Sequence, residues 1–339
     1  MLKNTNQFDA YRLSGGETIC CMEKNRNYIF DLVRSVCVIY IVCVWHLNEY
    51  LSDAFKFSGV VLDVLHIVTN IVLGTFTFLS GYFLKKYSFS DASDVGHFFK
   101  KRLGRFFVLL FLADLTYFIL HWLTKVQFIK IICGLDLFIA PSSPTLWFFS
   151  MLICFYLLTP LMKFSYKKGM VRICVCVFVF LLFAVLNKYC GADERLLYYF
   201  PCYVFGLLLP TEKVNSLLNK KLTSLVCLAI CVLAAFLSKV SAVGLYVAIY
   251  SGILLLLGIC SMLYRTWMNK AIAFIATSSM IAYLFHRQVF AFCREGAMLL
   301  FGMDYIPIIA AMAACVLIFI VSYYIQLFYD GCYRKCTRC

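Results

Sequence analysis

The chain consists largely of apolar stretches of about 20 residues, separated by short polar segments. An α-helix of that length, rising about 1.5 Å per residue, spans the roughly 30 Å hydrocarbon layer of a bilayer. Of the 339 residues, 63% are hydrophobic and only 14% are charged, so the chain lacks the polar surface of a soluble protein. Because backbone groups in lipid must form their hydrogen bonds within the segment, each stretch is expected to be helical. We therefore predict an all-α integral membrane protein.

About ten segments have the length and hydropathy of transmembrane helices. They are 29–50, 60–84, 103–123, 145–166, 171–189, 196–210, 222–238, 241–264, 271–292 and 305–328. The stretch 127–140 is apolar but short and precedes a Pro-Ser-Ser-Pro turn, which indicates an interfacial or re-entrant segment. The predicted organisation is an N-terminal tail (1–28), a transmembrane domain (29–329) and a C-terminal tail (330–339).

The distribution of lysine and arginine predicts that both tails lie in the cytoplasm. Most of the 31 basic residues fall in the tails and in the even-numbered connections. Positive charge is retained on the cytoplasmic side, and an even number of spans brings both ends there. The same bias explains much of the net charge of +14, and no aromatic and basic stacking surface accompanies it. Nucleic acid is therefore not an expected partner.

The two ends of the chain carry further expectations. Met22, followed by Glu-Lys-Asn-Arg-Asn, resembles a start directly before the first span, so residues 1–21 are expected to be dispensable or to come from a misassigned start. The 18 cysteines are mostly scattered within spans, where a thiol acts as a small apolar group, and no disulfide framework is expected. Cys332, Cys336 and Cys339 group near the C-terminus, but a fourth ligand is missing, so no metal site is predicted.

Ionisable side chains within spans carry the functional signal, because charge at membrane depth is costly. The first span contains Asp31 and Arg34 near its cytoplasmic start and His46 near its other end. Asp31 and Arg34 are three positions apart, a spacing that allows pairing on one helix face. Both can equally be interfacial anchors, and His46 can be an ordinary core histidine. Ser80 and Asp114 are compatible with either interhelical hydrogen bonds or ligand contacts.

A series of short motifs occurs in order along the chain. They are Phe30-Asp31-Leu32-Val33-Arg34 followed by His46, Phe78-Leu79-Ser80-Gly81, Lys100-Lys101-Arg102-Leu103-Gly104-Arg105, Leu146-Trp147-Phe148, Phe205-Gly206, and Ser279 with Tyr283-Leu284-Phe285-His286. Together they resemble the membrane acyltransferase type 3 family, bacterial enzymes that O-acylate cell-surface polysaccharides and related glycans. The resemblance extends over about residues 26–330.

One spacing departs from the family pattern. The Arg and His of the first span are usually eleven positions apart in the family, whereas Arg34 and His46 are twelve apart. Twelve positions turn a regular α-helix by about 120° beyond whole turns, so the two side chains would not share a face. Either they reach one site from different angles, or the helix contains a bulge. A π-bulge would restore the phase, and such bulges favour functional sites.

The resemblance implies transfer of an acyl group, by default acetyl, from acyl-CoA to a hydroxyl of a surface polysaccharide or lipid-linked glycan. It also implies a location in the bacterial inner membrane. The implied catalytic residues are His46 as general base, Arg34 as a stabilising donor and Asp31 as the residue that orients Arg34. Acetyl-CoA is then a substrate, and no permanently bound cofactor is expected.

The expected substrate-binding residues are Ser80, Lys101, Arg102, Arg105, Trp147 and His286. The basic residues would bind the phosphates of CoA, although positive-inside topology alone also explains their charge. Ser80 could donate to an oxyanion, Trp147 could stack on a sugar, and His286 would be a further polar group of the site. The expected partners are acyl-CoA, the glycan acceptor and membrane lipids.

Two other functions are compatible with the same residues. Secondary transporters and flippases also use intramembrane Asp, Arg and His, although the chain has no clear inverted repeat. A non-catalytic membrane scaffold or sensor with the same fold is the second alternative. Consumption of acyl-CoA would distinguish the acyltransferase from both.

Overall fold

The computed structural model describes residues 26–143, 145–163, 169–210, 221–238 and 241–338. These residues form an all-helical structure without a β-strand. The expectation about residues 1–21 lies outside this described part of the chain.

The described helices follow one another in a single series. They are α1 (Tyr28–Tyr40), α2 (Gly59–Leu84), α3 (Ala92–Phe98), α4 (Gly104–Ile119), α5 (Lys125–Ile132), α6 (Trp147–Lys163), α7 (Gly169–Cys190), α8 (Arg195–Leu208), α9 (Lys221–Leu237), α10 (Ala242–Leu263), α11 (Asn269–Phe301) and α12 (Ile308–Arg338). α1 continues directly into a π-helical segment (Ile41–His46) and a 3₁₀ turn (Leu47–Tyr50). A second π-helical segment, Phe99–Leu103, joins α3 to α4.

A helix coincides with each of the ten predicted spans. Within the described part of the chain, six helical segments are long and apolar enough to cross a membrane: Tyr28–Tyr50, Gly59–Leu84, Gly169–Cys190, Ala242–Leu263, Thr266–Phe301 and Ile308–Tyr333. The other four, α4, α6, α8 and α9, have between 14 and 17 described residues. Length and composition therefore support six crossings, and ten crossings with cytoplasmic termini stay a prediction. The segment expected as a C-terminal tail is helical as far as Arg338, as a continuation of α12.

The segment predicted to be interfacial or re-entrant (127–140) contains six of the eight residues of α5, followed by turns. Its Asp136 is 1% exposed and accepts hydrogen bonds from the backbone N and the Oγ of Ser143, both at 2.8 Å. Burial raises the pKa of the Asp136 carboxyl, and the Ser143 hydrogen bonds oppose this shift. The segment thus folds back on itself around a buried carboxyl group.

Side chains satisfy the backbone groups that helix ends leave free. Asn27 caps α1, and Asp31 lies in the first turn, where a negative charge favours the helix dipole. At the C-terminal end of α2, Nζ of Lys163 donates to the carbonyl oxygens of Leu84 at 3.1 Å and Lys85 at 2.6 Å. Lys163 therefore fixes the end of α6 against the end of α2.

The π-helical segment Ile41–His46 is the bulge that the spacing of Arg34 and His46 left open as one alternative. One extra residue is accommodated in the helix between the two side chains. Twelve positions then turn through about the angle of eleven, roughly 20° beyond whole turns. The structure confirms the bulge, and α1 and its continuation point Arg34 and His46 in similar directions at different depths.

Helices α2 and α8 cross at two glycines. A Cβ atom on Gly81 would collide with the carbonyl oxygen of Tyr203, and one on Gly206 would collide with the carbonyl oxygen of Phe78. Both obstacles are backbone atoms, which cannot rotate out of the way as a side chain can. Small residues that let backbones approach closely are a common basis of helix packing in membranes. The crossing therefore requires glycine at both positions.

We predict that Gly81→Ala and Gly206→Ala each destabilise the protein by about 1–3 kcal/mol, because the added methyl group forces the helices apart. Thermal unfolding in detergent, followed by size-exclusion chromatography of a fluorescent fusion, measures the change. Gly96→Ala in α3 is the matched control, since its Cβ would meet no atom within 4 Å. An unchanged unfolding temperature of Gly81→Ala would show that this crossing tolerates a wider separation.

Candidate active site

A cavity of about 420 Å³ lies among α1, α2, α4, α6, α11 and α12. Its lining includes five basic residues: Arg26, Arg34, Lys86, Arg102 and Arg105. Asp330 is the one acidic residue among the described side chains of the lining. A concave surface with this excess of positive charge attracts anions, and its walls of low dielectric strengthen the attraction.

Two of these arginines are oriented by neighbouring side chains. Nε of Arg102 donates to the hydroxyl of Tyr87 at 2.8 Å, and its guanidinium lies 5.4 Å from the centre of the Tyr87 ring. Nη2 of Arg105 pairs with Asp330 at 2.6 Å, while its buried Nε has no hydrogen-bond partner among the described residues. Each guanidinium carries five N–H groups, so both retain donors for a ligand.

Asp31 holds the two basic side chains near the start of α1. Its carboxylate lies 2.5 Å from Nε of Arg26 and 3.8 Å from Nη1 of Arg34. The guanidinium of Arg34 also lies 5.2 Å from the centre of the Phe83 ring. Asp31 is buried and is not part of the cavity lining. The predicted pairing of Asp31 with Arg34 is present, and Arg26 is an additional partner.

Part of the cavity lining consists of four aromatic residues, Phe76, Phe148, Phe149 and Tyr283, which we call the aromatic wall. The centre of the Tyr283 ring lies 5.5 Å from both Phe148 and Phe149 and 6.4 Å from Phe76. Tyr283 also packs against His286, with ring centres 6.0 Å apart. The aromatic wall therefore faces the cavity and contacts a histidine that does not line it.

His46 and His286 form a buried pair beside the aromatic wall. Nδ1 of His46 lies 2.6 Å from Nε2 of His286, and the two ring planes are 20° from parallel with centres 4.7 Å apart. The residues are 8% and 0% exposed. Both were predicted as site residues, but their 240-position separation gave no indication that they touch. The structure brings the end of the π-helical segment against the middle of α11.

The other sequence-predicted residues divide between the cavity and its surroundings. Ser80 lines the cavity, and its hydroxyl donates to the carbonyl oxygen of Phe76 at 2.9 Å. Arg102 and Arg105 line the same cavity, together with Arg34. Lys101 is exposed and is not part of the lining.

Trp147 lies in a stack away from the cavity. It is 9% exposed, the guanidinium of Arg195 lies 4.0 Å from the centre of its ring, and Tyr199 stacks at 6.0 Å. Nε of Arg195 donates to Asp193 at 2.7 Å. Burial would raise the pKa of Asp193, but the hydrogen bonds and charge of Arg195 outweigh it, so this pKa lies below its ordinary value. A sugar would have to displace Arg195 to stack on Trp147.

Asp114 is fully buried in α4. Neither of its carboxyl oxygens has a hydrogen-bond partner within the described ranges. The hydroxyl of Tyr117, one turn along the same helix, also lacks one. Asp114 therefore makes no interhelical hydrogen bond in this structure, and it does not line the cavity.

Some cavity residues were missed by sequence reasoning. Arg26 and Lys86 were counted only as topological charges, although both flank the first and second spans on the side where Arg34 lies. Gln326 and Asp330 near the end of α12 are polar positions in an apolar helix, a signal that could have found them.

A metal site would need a group of neighbouring His, Cys, Asp or Glu side chains. Among the described residues, no three or more His, Cys, Asp or Glu side chains lie together in such a group. Cys332 is exposed, and the side chains of Cys336 and Cys339 lie outside the described part.

A series of membrane-length helices surrounds a basic cavity and a buried histidine pair, which defines an integral membrane protein with a candidate active site. A family model described as an acyltransferase domain matches residues 27–327. The chain therefore belongs to the membrane acyltransferase type 3 family, as the order of its motifs predicted. Membership supports acyltransferase activity and a membrane location. No curated protein and no solved structure matches the chain.

Proposed function

We propose that this protein is an O-acyltransferase that moves an acyl group, by default acetyl, from acyl-CoA to a hydroxyl group of a surface polysaccharide or lipid-linked glycan. The observation that carries the proposal is the basic cavity whose aromatic wall contacts the buried histidine pair. Family membership supports the acyl transfer, and the charge of the cavity supports a donor with several negative groups.

The phosphate-rich end of acyl-CoA fits the chemistry of the basic residues. CoA carries a pyrophosphate and a 3′-phosphate, and arginine binds phosphate oxygens with two parallel N–H groups. Arg102 and Arg105 are held in place by Tyr87 and Asp330 and keep donors for such contacts. Arg34, positioned by Asp31, adds a third guanidinium to the same cavity. We assign these arginines to the phosphates of the donor.

His46 is the proposed general base. It takes the proton of the acceptor hydroxyl while that oxygen attacks the thioester carbonyl carbon. When the tetrahedral intermediate collapses, the C–S bond breaks and the proton passes to the leaving thiolate, giving an ester and free CoA. His46 lies about 18 Å from Arg34 along the helix axis. The oxyanion needs a fixed donor, and we propose Ser80 on the cavity lining for this role, once its hydroxyl exchanges its hydrogen bond to the carbonyl oxygen of Phe76 for one to the oxyanion.

The depth difference between the arginines and His46 suits a long, thin donor. The phosphates would stay with the arginines while the pantetheine arm carries the thioester toward the aromatic wall. In the present conformation the wall residues line the cavity and His46 does not. The thioester therefore reaches His46 only when wall side chains move, a gating step of a kind common in enzymes.

We predict that membrane vesicles with the wild-type chain release CoA from isotope-labelled acetyl-CoA and transfer the label to glycan or lipid. His46→Ala should lower this rate by about 100-fold or more, because the general base is lost. His97→Ala is the matched control, since His97 is exposed on α3. Scintillation counting of the fractions at equal expression measures the transfer. If neither acetyl-CoA nor longer acyl-CoAs are consumed above empty-vector membranes, the transporter or flippase becomes the better interpretation.

We predict that Arg102→Ala and Arg105→Ala each raise the KM for acetyl-CoA by about tenfold, since each removes a charged hydrogen bond. Comparison with acetyl-3′-dephospho-CoA identifies the arginine that contacts the 3′-phosphate, because its variant no longer distinguishes the two donors. Arg294→Ala is the control: Arg294 is exposed, does not line the cavity and lies 3.9 Å from Glu295. A KM that stays at the wild-type value in both variants would contradict donor binding in this cavity.

We also propose ten crossings, cytoplasmic termini and a bacterial inner-membrane location, on the basis of the charge distribution and the family. A C-terminal fusion to green fluorescent protein should then fluoresce, and the same fusion to alkaline phosphatase should be inactive. Each reporter works on only one side of the membrane, so the pair reads the location of the C-terminus. An active phosphatase fusion would rule out a cytoplasmic C-terminus.

A further inference from the structure

The hydrogen bonds of His286 determine which of its ring nitrogens carries the proton. Nδ1 lies 2.8 Å from the carbonyl oxygen of Tyr283 and 3.1 Å from that of Ala282. A carbonyl oxygen only accepts hydrogen bonds, so Nδ1 must be the N–H donor. In neutral His286 the other nitrogen, Nε2, is then an unprotonated acceptor.

This acceptor determines the tautomer of His46. Nε2 of His286 lies 2.6 Å from Nδ1 of His46, and an N–H on that Nδ1 completes the hydrogen bond. The opposite tautomer would place two lone pairs against each other at the same distance. With its proton on Nδ1, neutral His46 has a free lone pair on Nε2, as a general base requires.

We propose that His286 is a positioning residue that locks His46 in the Nδ1-protonated tautomer and so keeps Nε2 of His46 ready to accept a proton. The proposal rests on the acyl transfer proposed above, with His46 as base. When His46 takes the proton of the acceptor, the hydrogen bond to His286 becomes charge-assisted and therefore stronger. A carboxylate does the same for the histidine of a Ser-His-Asp triad. Here a neutral imidazole is the acceptor.

The packing around His286 supports a positioning role over substrate contact. His286 is 0% exposed, so a bound substrate would not reach its ring without rearrangement of the helices. Tyr283 and Phe290 pack edge-to-face against the His286 ring, at centre distances of 6.0 Å and 6.1 Å. Both neighbours belong to α11 and restrict rotation of the ring. This burial favours an indirect role for His286 over the substrate contact expected from the sequence, which stays an untested prediction.

Two substitutions separate the acceptor function of His286 from its volume. His286→Leu fills similar space but offers no hydrogen-bond acceptor, whereas the side-chain oxygen of His286→Gln can accept from Nδ1 of His46. We expect His286→Leu to lower kcat by about 100-fold, with the KM for acetyl-CoA within about twofold of wild type. His286→Gln should keep kcat within about tenfold of wild type. A purely structural role would lower the amount of inserted protein in parallel with the rate.

Nitrogen-15 NMR of histidine-labelled protein gives a readout that does not depend on activity. The His46 signals, identified by their loss in His46→Gln, should show protonation on Nδ1 in the wild type and a shift toward the Nε2-protonated form in His286→Leu. If the wild type transfers no acyl group, the proposed function fails while this tautomer test still decides the lock. Wild-type kcat in His286→Leu, or Nε2 protonation of His46 in the wild type, would overturn the proposal.

Discussion

An apolar helix bundle offers its buried polar groups no water, so each must find a partner within the protein or carry the cost of having none. Thr75 and Thr77 find their partners within their own helix, since their hydroxyls donate to carbonyl oxygens four residues earlier. Asp31 forms ion pairs with two arginines, Arg26 and Arg34. His46 is hydrogen-bonded to His286, whose other ring nitrogen donates to carbonyl oxygens of its own helix, and the bond between the two histidines joins the first helix to α11. The position of the candidate active site depends on that bond.

The helices were predictable because the length of an apolar stretch is a property of the sequence alone. All ten expected segments coincide with helices, and a bulge between Arg34 and His46 was one of the two alternatives that their spacing left open. Which helices pack together was not predictable. Gly81 and Gly206 belong to motifs that the sequence singled out, but only the structure shows why each position needs glycine, namely that the backbone of another helix approaches it.

The candidate site was predictable in its residue types but not in its grouping. Arg102 and Arg105 are three positions apart and share the cavity, whereas Lys101 next to Arg102 is exposed, because neighbouring helical residues point in directions about 100° apart. Trp147 has the chemistry of a sugar platform, but Arg195 from another helix covers its ring. His286 has the chemistry of a contact residue, and only the fold shows that it lies buried behind His46.

The first helix thus carries two kinds of chemistry at two depths, and the aromatic wall lies between the charged cavity and the histidine pair. For the proposed reaction this separation has a consequence. A histidine held permanently in the tautomer of a base accepts a proton from water as well as from a sugar hydroxyl, so the lock on His46 alone would also favour hydrolysis of the thioester. In the proposed mechanism the wall keeps the donor away from His46 until its side chains move. Transfer to the acceptor in that mechanism is selective only if this movement is coupled to acceptor binding, because only then does the hydroxyl reach the thioester before water does.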